Sequence, residues 1–384
     1  MTLRKKFVGL SLRTVLFISW ALGLFPFTFN AKKRKLQRSK WLIFYGISVN
    51  IGLLWFLVIY SPTQTEAGTL EVYLKNHLLE QINIIVAAFG LVAICITYFR
   101  TFWKSQELND VLNEMMQMDK VHFNKRSLEE SISKFDYYVM QKSLSTIGEV
   151  LSTVIVHVGL PGHKNVIFPL LMSCIVHVGI LLVIMHFYLV ILFIYRFIWI
   201  INRELLDLAN KLRSNSHVAF PRLRLLLSLF SRLLELNSRV GGIYDYQMIL
   251  MMCTVLGYNI VATYFLIVHT VSPKKTFTTF KLFLFSQALF INTWDFWLSI
   301  AVCDLAERTA QNTATILRLF SDIENMDIEL DRRLNNFSMF CSHRKLRFYH
   351  CGLFDVNYKM GFQMIITSVL YLLFLVQFDY MNLV

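Results

Sequence analysis

Long apolar runs alternate along this chain with cationic polar stretches. A helix that crosses a hydrocarbon core of about 30 Å needs about 20 mostly apolar residues. Seven runs approach or exceed that length: Trp41 to Tyr60, Leu79 to Phe99, Tyr137 to Leu160, Val166 to Tyr195, Gln247 to Val271, Leu282 to Cys303 and Phe362 to Phe378. The third is interrupted by Lys142 and Glu149. A further apolar segment, Phe7 to Phe29, follows Arg4, Lys5 and Lys6 but carries Arg13 mid-run and leads into the cationic stretch Lys32 to Lys40. It lacks a small-residue cleavage site, so a retained interfacial or re-entrant helix fits it better than a signal peptide. The pattern predicts an all-α integral membrane protein with seven transmembrane helices.

Composition agrees. Of 384 residues, 55% are hydrophobic and only 16% charged, and the mean hydropathy of +0.51 excludes an ordinary soluble globule. A net charge of +13 invites a nucleic-acid reading, but in a membrane chain the placement of Lys and Arg is what matters. Of the 38 Lys and Arg, 32 fall in the segments on one side of the seven runs and five on the other, with Lys142 inside a run. Since cations stay on the cytoplasmic side, the N-terminus is expected inside and the C-terminus outside. That is the reverse of a G-protein-coupled receptor. The basic side then meets membrane lipid, and no nucleic-acid partner is implied.

The expected outer loops are at most 18 residues long, too short to build a pocket, so an external ligand must enter among the outer halves of the helices. All six cysteines fall in spans or inner segments, where thiols stay reduced. Asn336-Phe337-Ser338 lies on the inner side and should stay unglycosylated.

From Val166 to Ile201 the only charged residue is Arg196, and a helix of that length, about 54 Å, overshoots the bilayer. Its apolar surplus needs cover in the cytosol. Two amphipathic stretches offer it: Arg222 to Arg239, through Leu225, Leu226, Leu229, Leu233 and Leu236, and Asp304 to Leu334, through Ile316, Phe320, Ile323, Met326, Leu330 and Leu334. The expected organisation is a basic N-terminal segment (1–40), a six-helix ligand-binding bundle with cytosolic extensions (41–303), cytosolic anchor helices (304–361), and a seventh transmembrane helix with a short extracellular tail (362–384).

On a helical wheel the last run places Gln363, Thr367, Leu370, Phe374 and Gln377 on one face. Amides in hydrocarbon are costly without a partner or water. A neighbouring helix would satisfy them. So would water at the axis of several copies, with Gln377 ringing the outer mouth and Phe374 and Leu370 forming a constriction below it.

The C-terminal stretch resembles the closing signature of insect gustatory receptors. In that signature a Gly-hydrophobic-Phe segment precedes Thr-Tyr, five hydrophobic residues and Gln-Phe; here Gly352-Leu353-Phe354 is followed by Leu370-Tyr371, five apolar residues and Gln377-Phe378. The inside-out plan, the length and the long inner helices extend the resemblance over most of the chain. Leu370 stands in place of the family Thr, with a hydroxyl one turn deeper at Thr367. The resemblance implies a homo- or hetero-tetrameric, ligand-gated, non-selective cation channel in the plasma membrane of gustatory neurons, opened by a small-molecule tastant. The seventh helices would line the pore, with Thr367, Leu370, Tyr371, Phe374, Gln377 and Phe378 at the pore or gate. The closing motif lacks the variant carried by the family's sugar receptors, which favours a bitter or aversive compound. An insect odorant receptor of the same architecture is the alternative that the Tyr371, Gln377, Phe378 pattern disfavours.

Candidate ligand contacts come from the expected outer halves: Glu80, Gln81 and Asn83; His157; His177; Tyr264 and His269; Phe285, Gln287, Phe290, Asn292, Trp294 and Asp295. Asp295 is the sharpest, because an ionisable group near mid-membrane usually faces a cavity or a partner. Between Trp294 and Trp297 it suits an organic cation; equally, it could bond a neighbouring helix. Cys341, His343, His350 and Cys351 match no common zinc spacing, and Arg344, Lys345 and Arg347 among them suit lipid headgroups. No cofactor or metal is called for, and no nucleotide, zincin or nucleophile-elbow motif points to an enzyme.

Overall fold

A computed structural model describes residues 3–30, 32, 35–65, 77–123, 129–159, 167–213, 220–271, 279–321 and 328–383. Residues 66–76 and 272–278 of the expected outer loops, the loop 161–165 and the span ends 160 and 166 lie outside that description, as do Ile323, Met326 and the side chains of Leu330, His157 and His269. The described chain is almost entirely helical. Its helices are α1 (Leu3–Ala21), α2 (Lys40–Thr65), α3 (His77–Trp103), α4 (Ser105–Met118), α5 (Glu129–Gly159), α6 (Ile167–Arg213), α7 (Phe220–Val271), α8 (Thr279–Ser321), α9 (Ile328–His343) and α10 (Tyr358–Leu383). Two small antiparallel hairpins join them: β1 (Phe27–Asn30) with β2 (Lys35–Arg38), and β3 (Tyr349–His350) with β4 (Phe354–Asp355).

A helix stands at each of the seven expected spans: α2, α3, α5, α6, α7, α8 and α10. Among the described residues, five are long and apolar enough to cross a membrane: Leu78–Trp103, Leu170–Arg213, Pro221–Val268, Leu282–Phe320 and Tyr358–Phe378. In α2 the described apolar stretch is the shorter Lys40–Phe56, and α5 is the helix that carries Lys142 and Glu149.

The core forms around α6. A helix that is hydrophobic all round must be buried on every side, and 67% of the most apolar stretch of α6 is buried, against 6% for α10. Helices α5, α7 and α8 surround α6, α3 packs on α7, and α10 docks by one side against α7 and α8.

The surplus length of α6 is larger than its sequence suggests, for the helix runs 47 residues, about 70 Å at 1.5 Å per residue. Its neighbours continue with it. The amphipathic stretch 222–239 and the span that follows are one 52-residue helix, and residue 304 lies inside the 43-residue α8, which ends at Ser321 before α9 begins at Ile328. Leu226, Leu229, Leu233, Leu236, Ile316, Phe320 and Leu334 all join the main core, so these residues of both stripes are packed within the chain.

Polar groups lock this basal layer. Arg222 donates to Glu204 Oε2 at 2.5 Å from Nη2 and 2.9 Å from Nε. Asn202 donates to the Thr309 carbonyl at 2.7 Å and accepts from Thr313 Oγ1 at 2.7 Å. Helix α4, within the expected inner segment after the second span, buries Leu108, Val111, Met115 and Met118 and offers Glu114 to Arg232 and Arg239 of α7. Asn113 clamps β2, accepting from the Leu36 amide at 2.7 Å and donating to the Leu36 carbonyl at 2.9 Å.

Candidate functional site

A cavity of about 560 Å³ opens among α3, α5, α6, α7 and α8. Its walls are mostly apolar, with Met248, Met251 and Met252 on one turn of α7, and with Tyr258, Phe285 and Phe296 as aromatic panels. A few polar groups converge on it: Asn83, Glu149, Ser152, Thr153, Ser173, His177, Asn259, Asn292 and Asp295. An apolar pocket of this size with few polar contacts is the form small-molecule sites take.

The charged residues on its wall differ in partnership. Lys142 Nζ donates to Asp295 Oδ2 at 2.5 Å, to the Asp295 carbonyl at 3.3 Å and to Ser299 Oγ at 3.1 Å. An ammonium has three protons, so these acceptors saturate it. Its side chain is 1% exposed and that of Asp295 6%. Lys142 Nζ also sits 5.4 Å from the ring centre of Tyr188 on α6. Asp295 is therefore charge-compensated within the chain. Glu149 lies two turns beyond Lys142 on α5 and has His177 Nε2 at 3.6 Å. Elsewhere on the wall, Asn292 donates to Asn259 Oδ1 at 2.9 Å and Gln287 to Ser152 Oγ at 2.9 Å, stitching α8 to α7 and α5.

Of the residues singled out by sequence, Asn83, His177, Phe285, Asn292 and Asp295 line the cavity. Gln287 reaches it through Ser152. Tyr264 is buried instead in a separate cluster with Leu79, Val261 and Phe265, whereas Phe290 and Trp294 are exposed on the outside of the bundle. Neither Glu80 nor Gln81 lines the cavity. Sequence reasoning missed Glu149, the Met248, Met251, Met252 turn, Tyr258 and Asn259. The signal for Glu149 was present, since a carboxyl within an apolar run is a functional candidate by default.

The C-terminal hairpin sets the position of α10. Cys351 and Gly352 both adopt positive φ, 50° and 72°, which makes the tight turn between β3 and β4; at Gly352 the absent side chain removes the strain. His350 is buried and donates through Nδ1 to Asp245 Oδ1 at 3.1 Å. Asn357 Oδ1 then accepts from the Met360 amide at 3.1 Å, an N-cap that starts α10. Just inside the helix, Tyr358 stacks on Trp297 at 5.4 Å between ring centres. A Cβ at Gly361 would meet Ile300 Cδ1 at 2.9 Å and Trp297 Cζ3 at 3.0 Å, so a larger residue there would press on both side chains where α10 meets α8.

Beyond that anchor, α10 leans on the small cluster through Leu372, Leu375 and Val376. Its stripe of Gln363, Thr367, Leu370, Phe374 and Gln377 is exposed along its whole length, as are Tyr371 and Phe378. Phe374 and Phe378 stack at 6.3 Å. The amide face is thus not spent on a helix of the same chain.

The profile of the 7tm chemosensory receptor family matches residues 12–382. The gustatory receptor for bitter taste 22e of Drosophila melanogaster is 46% identical over 383 residues, covering 99% of this chain and 98% of that protein. The chain belongs to the insect gustatory receptor family. In fold the receptor is similar to the insect olfactory receptor OR5 from Machilis hrabei, with a TM-score of 0.69 at 12% identity over 95% of this chain and 97% of that one. The structure of OR5 in complex with eugenol aligns with a TM-score of 0.71 over 97% and 98% of the two chains. At such identity the likeness is one of fold. It agrees with a multi-pass receptor in which α10 and the cavity belong to one bundle.

Proposed function

We propose that this receptor is a ligand-gated, non-selective cation channel of the plasma membrane, opened by a small-molecule tastant, a bitter or aversive compound, held in the cavity among the helices. The observation that carries the reading is the unburied amide stripe of α10. In hydrocarbon, Gln363 and Gln377 facing lipid would be unsatisfied and costly. Four copies around an axis, alike or drawn from related receptors, turn that stripe toward a shared water-filled path. The N-terminus and basal layer then lie in the cytosol, where the Lys and Arg excess belongs.

The cavity and α10 share their supports. Val261 and Phe285 face the cavity and also belong to the cluster that carries Leu372, Leu375 and Val376. Phe265 and Phe285 touch at 4.6 Å between ring centres. On α8, Phe296 and Ser299 face the cavity, while Trp297 and Ile300 hold the base of α10. A ligand that shifts α7 or α8 therefore acts on packing that α10 shares, which is the differential contact gating requires.

The test is current in cells expressing the chain, alone and with related receptors, during a tastant screen. The expected result is an agonist-evoked current that persists in excised patches, reverses near zero potential and changes its permeability ratios in Gln377→Ala. A response that requires G proteins and vanishes on excision would refute the channel.

A further inference from the structure

We propose that Glu149 anchors a protonated amine in the cavity, so that this receptor's ligand class is apolar organic cations of drug size. The proposal rests on the cavity being the tastant site. Three side chains on its described wall can carry charge: Asp295, Glu149 and His177. Asp295 is already neutralised by Lys142, whose three protons go to Asp295 Oδ2, the Asp295 carbonyl and Ser299. Lys142 has no proton left for Glu149.

Among the described residues the ion-pair partner of Glu149 is His177, with Nε2 at 3.6 Å, beyond ordinary hydrogen-bond length. That nitrogen has no hydrogen-bond partner of its own. The Glu149 side chain is only 8% exposed. The carboxyl therefore has no cation in hydrogen-bond contact among the described residues, and the surface around it is mostly apolar. A buried charge is costly unless paired, so an ammonium in the cavity gains an ion pair and relieves that cost at once. Residues 142 and 149 are seven apart on α5 and share a face, which places the compensated pair and the Glu149 carboxyl on the same side of that helix. Tyr258, Phe285 and Phe296 supply the ring faces that favour an organic cation over an inorganic one.

The experiment uses the full chain in lipid nanodiscs and two fluorescent probes of one shape, a dansyl-linked tertiary dimethylamine and its uncharged isopropyl analogue. The amine should bind the wild type at least tenfold more tightly than the analogue. Glu149→Gln should weaken the amine by about tenfold or more, leaving the analogue unchanged, and Glu149→Asp should restore part of the difference. Equal affinity of the two probes for the wild type overturns the proposal even if no variant folds, and so does an equal loss of both in Glu149→Gln. Unchanged binding of both probes after Ala262→Phe, which fills the cavity, overturns the cavity as the site. Because binding is read without current, Glu149-dependent amine binding in a chain that never conducts refutes the channel alone.

Discussion

Replacing Lys142 by Met tests whether the charged pair in the bundle is structural. The pair's side chains are 1% and 6% exposed, and Nζ to Oδ2 is 2.5 Å. At an effective dielectric of about 20 their attraction is about 6 to 7 kcal/mol, but desolvating two ions costs several kcal/mol each, so the net contribution of the intact pair is small. Removing one partner is different. Lys142→Met leaves the Asp295 carboxylate in the core without its cation, a loss of about 3 to 5 kcal/mol. Ser299 keeps an acceptor, because its Oγ also donates to the Asp295 carbonyl at 3.4 Å. At about 2 °C per kcal/mol for a large chain, the thermal midpoint should fall by about 6 to 10 °C. The assay is the loss of the monodisperse chromatographic peak of the detergent-solubilised, fluorescently tagged receptor after heating. Lys142→Met with Asp295→Leu removes both charges and should recover most of the loss. A single variant within about 1 °C of wild type, or a double variant as unstable as the two singles summed, would refute the reasoning.

Other outcomes follow from α10 and from the charge bias. Gln377→Ala should alter the calcium-to-sodium permeability ratio or blocker sensitivity with surface expression unchanged; unchanged permeation removes this amide from the pore. Gly361→Ala places a Cβ at 2.9 Å from Ile300 and 3.0 Å from Trp297, so it should cost about 1 to 3 kcal/mol and reduce agonist-evoked current. Gly9→Ala, where nothing lies within 4 Å, should leave both stability and current intact. An epitope at the C-terminus should label intact cells, and one at the N-terminus should need permeabilisation; the opposite pattern overturns the orientation and the placement of Gln377 at the outer mouth.

What the sequence makes legible depends on how local the physics is. Apolar runs of about 20 residues are a local property, and a helix stands at each of the seven. The basal layer was legible only in pieces. Gly241 and Gly242 mark a break between the amphipathic stretch and the span, since each glycine costs a helix about 1 kcal/mol. Yet α7 runs through them, because Val240, Ile243 and Tyr244 are buried on either side and their packing outweighs the penalty. Helix α4 shows the period of an amphipathic helix, but its polar face hid an element whose stability comes from tertiary contact.

The site divides along the same line. Lys142, Glu149 and Asp295 are each visible as charges in apolar runs, but hydropathy cannot say that the first and third, 153 positions apart, neutralise each other. Their pairing leaves Glu149 on α5, rather than Asp295 on α8, as the wall carboxyl that Lys142 does not hydrogen-bond. The seventh helix gives the converse case. Its stripe is fully readable from the order of residues, and of its two solutions, a neighbouring helix or water, the stripe by itself favours the helix. The fold removes a helix of the same chain as the partner, because α10 packs Leu372, Leu375 and Val376 against its own chain and leaves Gln363 and Gln377 exposed. In the channel proposed above, the amide surface that α10 does not bury in its own chain is the one that other copies around an axis would complete.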